Sequence, residues 1–122
     1  MKNTKRILVV EDNETNMYLI GFILKSRGYE IIEARSGEEG AGIAIKEKPD
    51  LIIMDIQLPG IDGLETTRRI RKSEAAGDIP IVALTSHAMT GDREKALRAG
   101  CTGYIEKPIN PETVLSEIEK YL

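Results

Sequence analysis

Five short apolar runs, rich in β-branched residues and separated by longer segments with helical signals, constrain this chain more than any other feature. The runs are "RILVV" (6–10), "EIIEA" (30–34), "DLIIMD" (50–55), "IPIVALT" (79–85) and "GYIEK" (103–107). Each has the length and residue types of a strand, and the middle one is apolar on both faces, as a buried strand must be. Between them lie capping residues. Asn13 can start a helix that Gly28 ends, Ser36 with Glu39 and Asp62 with Glu65 form capping-box patterns, and Gly100 closes a fourth helix. The fifth helix has Asn110 as cap, Pro111 at its first position and Glu112 in its first turn, and it would bury Val114, Leu115, Ile118 and Tyr121 or Leu122.

Strict alternation of β and α segments implies a parallel sheet with helices on both faces, joined by right-handed crossovers. At 122 residues the chain is large enough for one such core and too small for two. The predicted fold is therefore α/β, a (βα)5 flavodoxin-like three-layer sandwich with a parallel five-stranded sheet of order 2-1-3-4-5. Residues 1–122 are read as one domain, without internal linker, repeat or low-complexity segment.

In open sheets of this kind ligands sit beyond the carboxyl ends of the strands, where the strand order reverses. In the order 2-1-3-4-5, strands 1 and 3 meet at that point. Strand 1 ends in Glu11 and Asp12, and strand 3 ends in Asp55, just before the Pro-Gly loop of "DIQLPGIDG". Two such charges ~5 Å apart repel by about 3 kcal/mol at an effective dielectric near 20, so three together raise a pKa or recruit a cation. An all-oxygen donor set open to solvent suits Mg²⁺, or Mn²⁺ in its place, whereas a hydrolytic zinc site would need histidines. Strand 4 ends in Thr85 and Ser86, and strand 5 in Lys107 followed by Pro108. These are the parts that phosphoryl transfer to Asp55 needs: a carboxylate to attack, a metal and a lysine to neutralise charge, and a hydroxyl to hold one oxygen.

The stretches "VVEDN" (9–13), "IIMDIQLPGIDG" (52–63), "ALTSHA" (83–88) and "GYIEKPI" (103–109) make the chain resemble, over nearly its whole length, the receiver domain of two-component response regulators. The opening "EDNETN" is similar to that of receivers in hybrid kinases and single-domain cell-cycle regulators. The resemblance implies that Asp55 accepts a phosphoryl group from a sensor histidine kinase or a histidine phosphotransfer protein. It also implies that Asp12, Asp55 and the Gln57 carbonyl bind Mg²⁺ directly, that Glu11 acts mainly through water, and that Lys107 contacts the phosphoryl oxygens. The Lys107–Pro108 peptide would be cis. Phosphorylation would draw Thr85 towards the phosphoryl group and rotate Tyr104 inward, altering the face of helix 4, strand 5 and helix 5. An edge-strand packing role for Tyr104 is the alternative. Gln57 and His87, each two residues beyond a site residue, are candidates for tuning the dephosphorylation rate.

The first helix, "ETNMYLIGFILKSR", is apolar nearly all round. Asn16, Leu19, Ile20 and Ile23 fit a core-facing stripe, which would leave Met17, Tyr18, Gly21 and Phe22 as a second stripe for docking a kinase or phosphotransfer partner. A helix buried more than usual, or buried in a dimer, is the alternative. The run "TTRRIRK" (66–72) is read as a solvated face.

Composition closes off other classes. Seventeen basic against twenty acidic residues give a net charge of −3, the wrong sign for gripping nucleic acid non-specifically. A lone Cys101 offers no internal disulfide. No stretch has the apolar length of a membrane span, and the chain is expected to be cytoplasmic, as a monomer or a phosphorylation-dependent dimer. The enzymatic rival is an aspartyl-phosphate phosphatase or phosphotransferase of the haloacid dehalogenase type, but "EDNET" after the first strand lacks that nucleophile pattern. The expected role is thus signalling, with catalysis confined to the protein's own phosphorylation and dephosphorylation.

Overall fold

Every predicted apolar run forms a strand and every capped segment a helix in the computed structural model, which describes residues 4–85 and 91–122. The order is β1 (Arg6–Val10), α1 (Glu14–Ser26), β2 (Glu30–Ala34), α2 (Gly37–Glu47), β3 (Leu51–Asp55), α3 (Gly63–Lys72), β4 (Ile81–Thr85), α4 (Asp92–Ala99), β5 (Gly103–Glu106) and α5 (Val114–Glu119). The strands are parallel and lie in the order β2-β1-β3-β4-β5. His87 lies outside the described residues.

Side chains alternate across the sheet, so each central strand feeds two cores. Ile7, Val9, Ile53 and Leu84 pack with residues of α1 and α5, while Leu8, Val10, Met54 and Ala83 pack with residues of α2, α3 and α4. The three inner strands β1, β3 and β4 are almost wholly buried, and the edge strands β2 and β5 only partly. This is why the inner runs contain no alternating polar residues and the edge runs do.

Local rules set the helix ends. The side chains of Asn13, Ser36 and Asp62 accept hydrogen bonds from the amides of Asn16, Glu39 and Glu65, as their capping patterns predict. Gly28 and Gly100 take positive φ, at 96° and 113°. Asn110 does accept from the Glu112 amide, at 2.9 Å, but the regular helix begins only at Val114. Pro111 and Glu112 therefore occupy a turn ahead of the helix and not its first positions.

Two readings of helix faces need correction. The buried stripe of α1 is Met17, Ile20, Gly21, Ile23 and Leu24, so Met17 belongs to the core and Asn16 does not. In α3 the run 66–72 is not a purely solvated face: Thr66, Thr67 and Ile70 are buried. Arg71 is half-buried, and its guanidinium donates to the carbonyls of Gly77, Ile79 and Gly100 at 3.0, 2.6 and 2.8 Å. It thereby ties the loops at the amino-terminal edge of the sheet, opposite the acidic crevice.

Candidate functional site

Register brings the acids together. Val10 pairs with Met54, so the next residues, Glu11 and Asp55, stand side by side where β1 and β3 end. The Asn13 cap turns the chain at once into α1, which keeps Glu11 and Asp12 at the crevice. One carboxylate oxygen from each of Glu11, Asp12 and Asp55 lies within 4.8 Å of the others. Glu11 is fully buried, Asp55 is 3% exposed, and Asp12 faces solvent.

Among the described residues, one cation answers the two buried acids. Lys107 Nζ is 3.2 Å from Glu11 Oε1 and 3.3 Å from Asp55 Oδ1. Among the described residues no donor hydrogen-bonds to Oε1 of Glu11, so the ammonium is its compensation; Oε2 accepts from the Asn13 amide at 3.3 Å. Asp55 Oδ1 also accepts from the Gln57 amide at 3.1 Å. Burial first, and then the adjacent Asp55 carboxylate, push the Glu11 carboxyl up to about 7, against the opposing pull of Lys107 and the Asn13 amide.

The backbone around the site is held closely. The Lys107 amide donates to the Thr85 carbonyl at 2.7 Å, which extends the β4–β5 pairing to the residue that carries the ammonium. The Lys107–Pro108 peptide is cis, as expected. Across the crevice, a Cβ on Gly63 would overlap the Asp55 carbonyl oxygen and stand 2.8 Å from Ile56 Cα, so only glycine lets α3 begin this near the end of β3.

Thr85 is buried at the end of β4, and Tyr104 is half-buried on β5. Between them is a cavity of about 120 Å³ bordered by Ile56, Leu64, Ala83, Thr85 and Tyr104. The predicted switch pair thus shares one void. On α1, Tyr18 and Phe22 are 73% and 62% exposed and stack with ring centroids 6.2 Å apart. Met17, expected beside them on the surface, is 2% exposed. Because the helix is apolar nearly all round, its sequence could not say which stripe faces the sheet.

Three carboxylates opposite one ammonium leave an excess of negative charge held by oxygen donors, and this fits a hard divalent cation. The sequence matches the response regulator receiver domain over residues 7–119. The chain belongs to this family.

Similar proteins agree. The receiver is 44% identical over 119 residues to the polar-differentiation response regulator DivK of Brucella ovis, covering 98% of this chain and 97% of that one. It also superposes with a TM-score of 0.89 on the receiver domain of the sensor histidine kinase PA1611 from Pseudomonas aeruginosa PAO1, at 36% identity and 97% coverage of both chains. That structure has a magnesium ion coordinated in the active site cleft. A third similar chain is the receiver domain of the response regulator Ssk1 of Saccharomyces cerevisiae, solved with the histidine phosphotransfer signaling protein Ypd1. It gives a TM-score of 0.87 at 32% identity, covering 97% of this chain and 88% of that one.

The receiver is accordingly a phosphorylation-controlled switch of two-component signalling, a class of signalling proteins generally not counted as enzymes. The haloacid dehalogenase alternative is left without support. Among the described residues no helix is long and apolar enough to cross a membrane.

Proposed function

We propose that Asp55 is the phosphoacceptor of a phosphorelay, and that residues 1–122 act together as the receiving unit. The observation that carries this is the position of Asp55: buried at a strand end, beside Glu11 and Asp12, with the Lys107 ammonium 3.3 Å from its Oδ1. A carboxylate oxygen of Asp55 attacks the phosphorus of a phosphohistidine. The P–N bond breaks, its electron pair returns to the imidazole ring, and an acyl phosphate remains on Asp55. Attack of water on phosphorus later restores the carboxylate and releases inorganic phosphate. The protein's own catalysis is confined to these two steps.

Asp12, Asp55 and the Gln57 carbonyl would hold Mg²⁺, with Glu11 behind them; Mn²⁺ would serve in its place. The bound ion supplies charge neutralisation for the phosphoryl oxygens. Lys107 does the same from the protein side, and Thr85 donates its hydroxyl to one phosphoryl oxygen. The magnesium in the cleft of the similar Pseudomonas receiver supports the choice of metal. Gln57, exposed two residues after Asp55, is the described candidate for tuning hydrolysis. Inward rotation of Tyr104 into the cavity beside Thr85 would report phosphorylation to an effector.

A histidine kinase or histidine phosphotransfer protein is the proposed donor, docked on α1 through Tyr18 and Phe22. The similar Ssk1 receiver, seen with the phosphotransfer protein Ypd1, supports that class of partner. Intact mass after incubation with acetyl phosphate tests the core of the reading. A Mg²⁺-dependent, hydroxylamine-labile gain of one phosphoryl group, absent in Asp55→Asn, is expected. A gain that persists in Asp55→Asn would overturn it.

A further inference from the structure

Among the described residues, two charged side chains contact Tyr104. Arg93, in the first turn of α4, holds its guanidinium carbon 5.5 Å from the Tyr104 ring centroid, within cation–π range. The phenol hydroxyl points to Glu106 Oε1, at 3.5 Å, the long limit of a hydrogen bond. The same ring borders the 120 Å³ cavity that reaches Thr85, which Asp92, Lys95 and Ala96 of α4 also line. One side chain therefore has a charged partner at its face, an acceptor at its tip and a cavity beside it.

We propose that Arg93 and Glu106 form a clamp that holds Tyr104 outward and sets how readily the receiver switches. Both contacts require the outward ring. Rotation into the cavity would leave the guanidinium without its aromatic face and the carboxylate without its donor, so both stabilise one state only, and such a difference is what biases a two-state equilibrium. The helix that supplies Arg93 is lightly anchored. α4 has eight residues, begins at Gly91 without a side-chain cap, and buries only Ala96 and Ala99. By linking the first turn of α4 to β5, the clamp also couples the position of this lightly anchored helix to the state of the tyrosine.

An exposed cation–π contact corresponds to a bias of about two- to five-fold in the outward-to-inward ratio. By reciprocity, loss of the clamp should tighten binding of a phosphoryl mimic by the same factor. The second expectation rests on the reading of Asp55 as phosphoacceptor; the first does not.

The experiment is ¹⁹F NMR of protein labelled with 3-fluorotyrosine, with Tyr104 assigned by Tyr104→Phe, followed by titration with beryllofluoride and Mg²⁺. In the unphosphorylated protein, Arg93→Gln should raise the inward fraction of Tyr104 about two- to five-fold, with Arg93→Lys and Glu106→Gln intermediate. Beryllofluoride should bind Arg93→Gln more tightly by the same factor, with the variant shown to be folded by its far-UV circular dichroism. An unchanged or smaller inward fraction in folded Arg93→Gln would overturn the clamp. Failure of wild type and variant alike to bind beryllofluoride would instead count against the Asp55 reading, while the rotamer comparison would still decide the clamp.

Discussion

Lys107 Nζ lies 3.2 Å from Oε1 of Glu11, an acid with no exposed surface. The ammonium is thus the charge partner of a buried carboxylate before any phosphoryl group arrives, and it competes with a divalent cation for the same negative site. Removing it should have opposite effects on stability and on metal binding. Lys107→Ala should lose about 1–3 kcal/mol of metal-free stability, the cost of leaving a buried polar group unsatisfied. Its apparent Mg²⁺ affinity should rise several-fold, because among the described residues no other cation pairs with Glu11 or Asp55. Urea denaturation with and without Mg²⁺ checks both; weaker Mg²⁺ binding in the variant would contradict this view of Lys107.

The raised carboxyl of Glu11 predicts a pH dependence whose sign can be worked out. The group ionises near 4.5 in an ordinary environment and near 7 in the folded, metal-free protein. Between those values the folded state holds a proton that the unfolded state has released. Its contribution to stability is therefore fully present below about 4.5 and is lost as pH rises through about 7. The metal-free urea midpoint should carry a component that falls from pH 5 to pH 7.5, roughly the range set by these values, and Glu11→Gln should remove it. Mg²⁺ should bind more tightly at pH 8 than at pH 6 and release protons at the lower pH, measurable in buffers of different ionisation enthalpy.

Two glycines should respond in opposite directions. A Cβ at Gly63 would collide with backbone at the end of β3, whereas one at Gly42, within α2, would meet nothing within 4 Å. Gly63→Ala should destabilise by about 1–3 kcal/mol and slow phosphorylation from acetyl phosphate, since the strain falls on the Asp55 carbonyl. Gly42→Ala should stabilise by ~0.5–1 kcal/mol through helix propensity and leave the chemistry unchanged. Denaturant midpoints and phosphorylation rates of the two variants provide the comparison.

Most of the sheet could be read from the sequence because inner strands must be apolar on both faces and the first three helices start on a side-chain acceptor, Asn13, Ser36 and Asp62. The grouping of Glu11, Asp12 and Asp55 was equally legible, since register alone aligns two strand ends once the order is known. What could not be read depended on choices between nearly equal faces or on long side chains. The α1 stripe was misplaced because apolar residues surround the helix and periodicity gives no preference. Arg71 looked like one more charge in a basic run, and nothing local shows that its guanidinium finds three carbonyls from two loops. The contact of Arg93 with Tyr104 was hidden for the same reason.

The difference between Met17 and its neighbours gives a test of the docking surface. Met17 is 2% exposed and lies in the core, while Tyr18 and Phe22 present stacked rings to solvent on the same helix. Truncating a buried methionine removes packing, so Met17→Ala should cost about 2–5 kcal/mol and weaken every activity together. Truncating Tyr18 or Phe22 should leave the denaturation midpoint and the rate of phosphorylation by acetyl phosphate close to wild type. If these rings are docking anchors, either change should slow transfer from a phosphorylated histidine phosphotransfer protein at least ten-fold, as loss of an aromatic anchor at the centre of an interface commonly does at roughly 2 kcal/mol. Equal transfer rates for wild type and Tyr18→Ala/Phe22→Ala, measured below saturation, would remove α1 from the docking surface and leave its two exposed rings without a role in partner recognition.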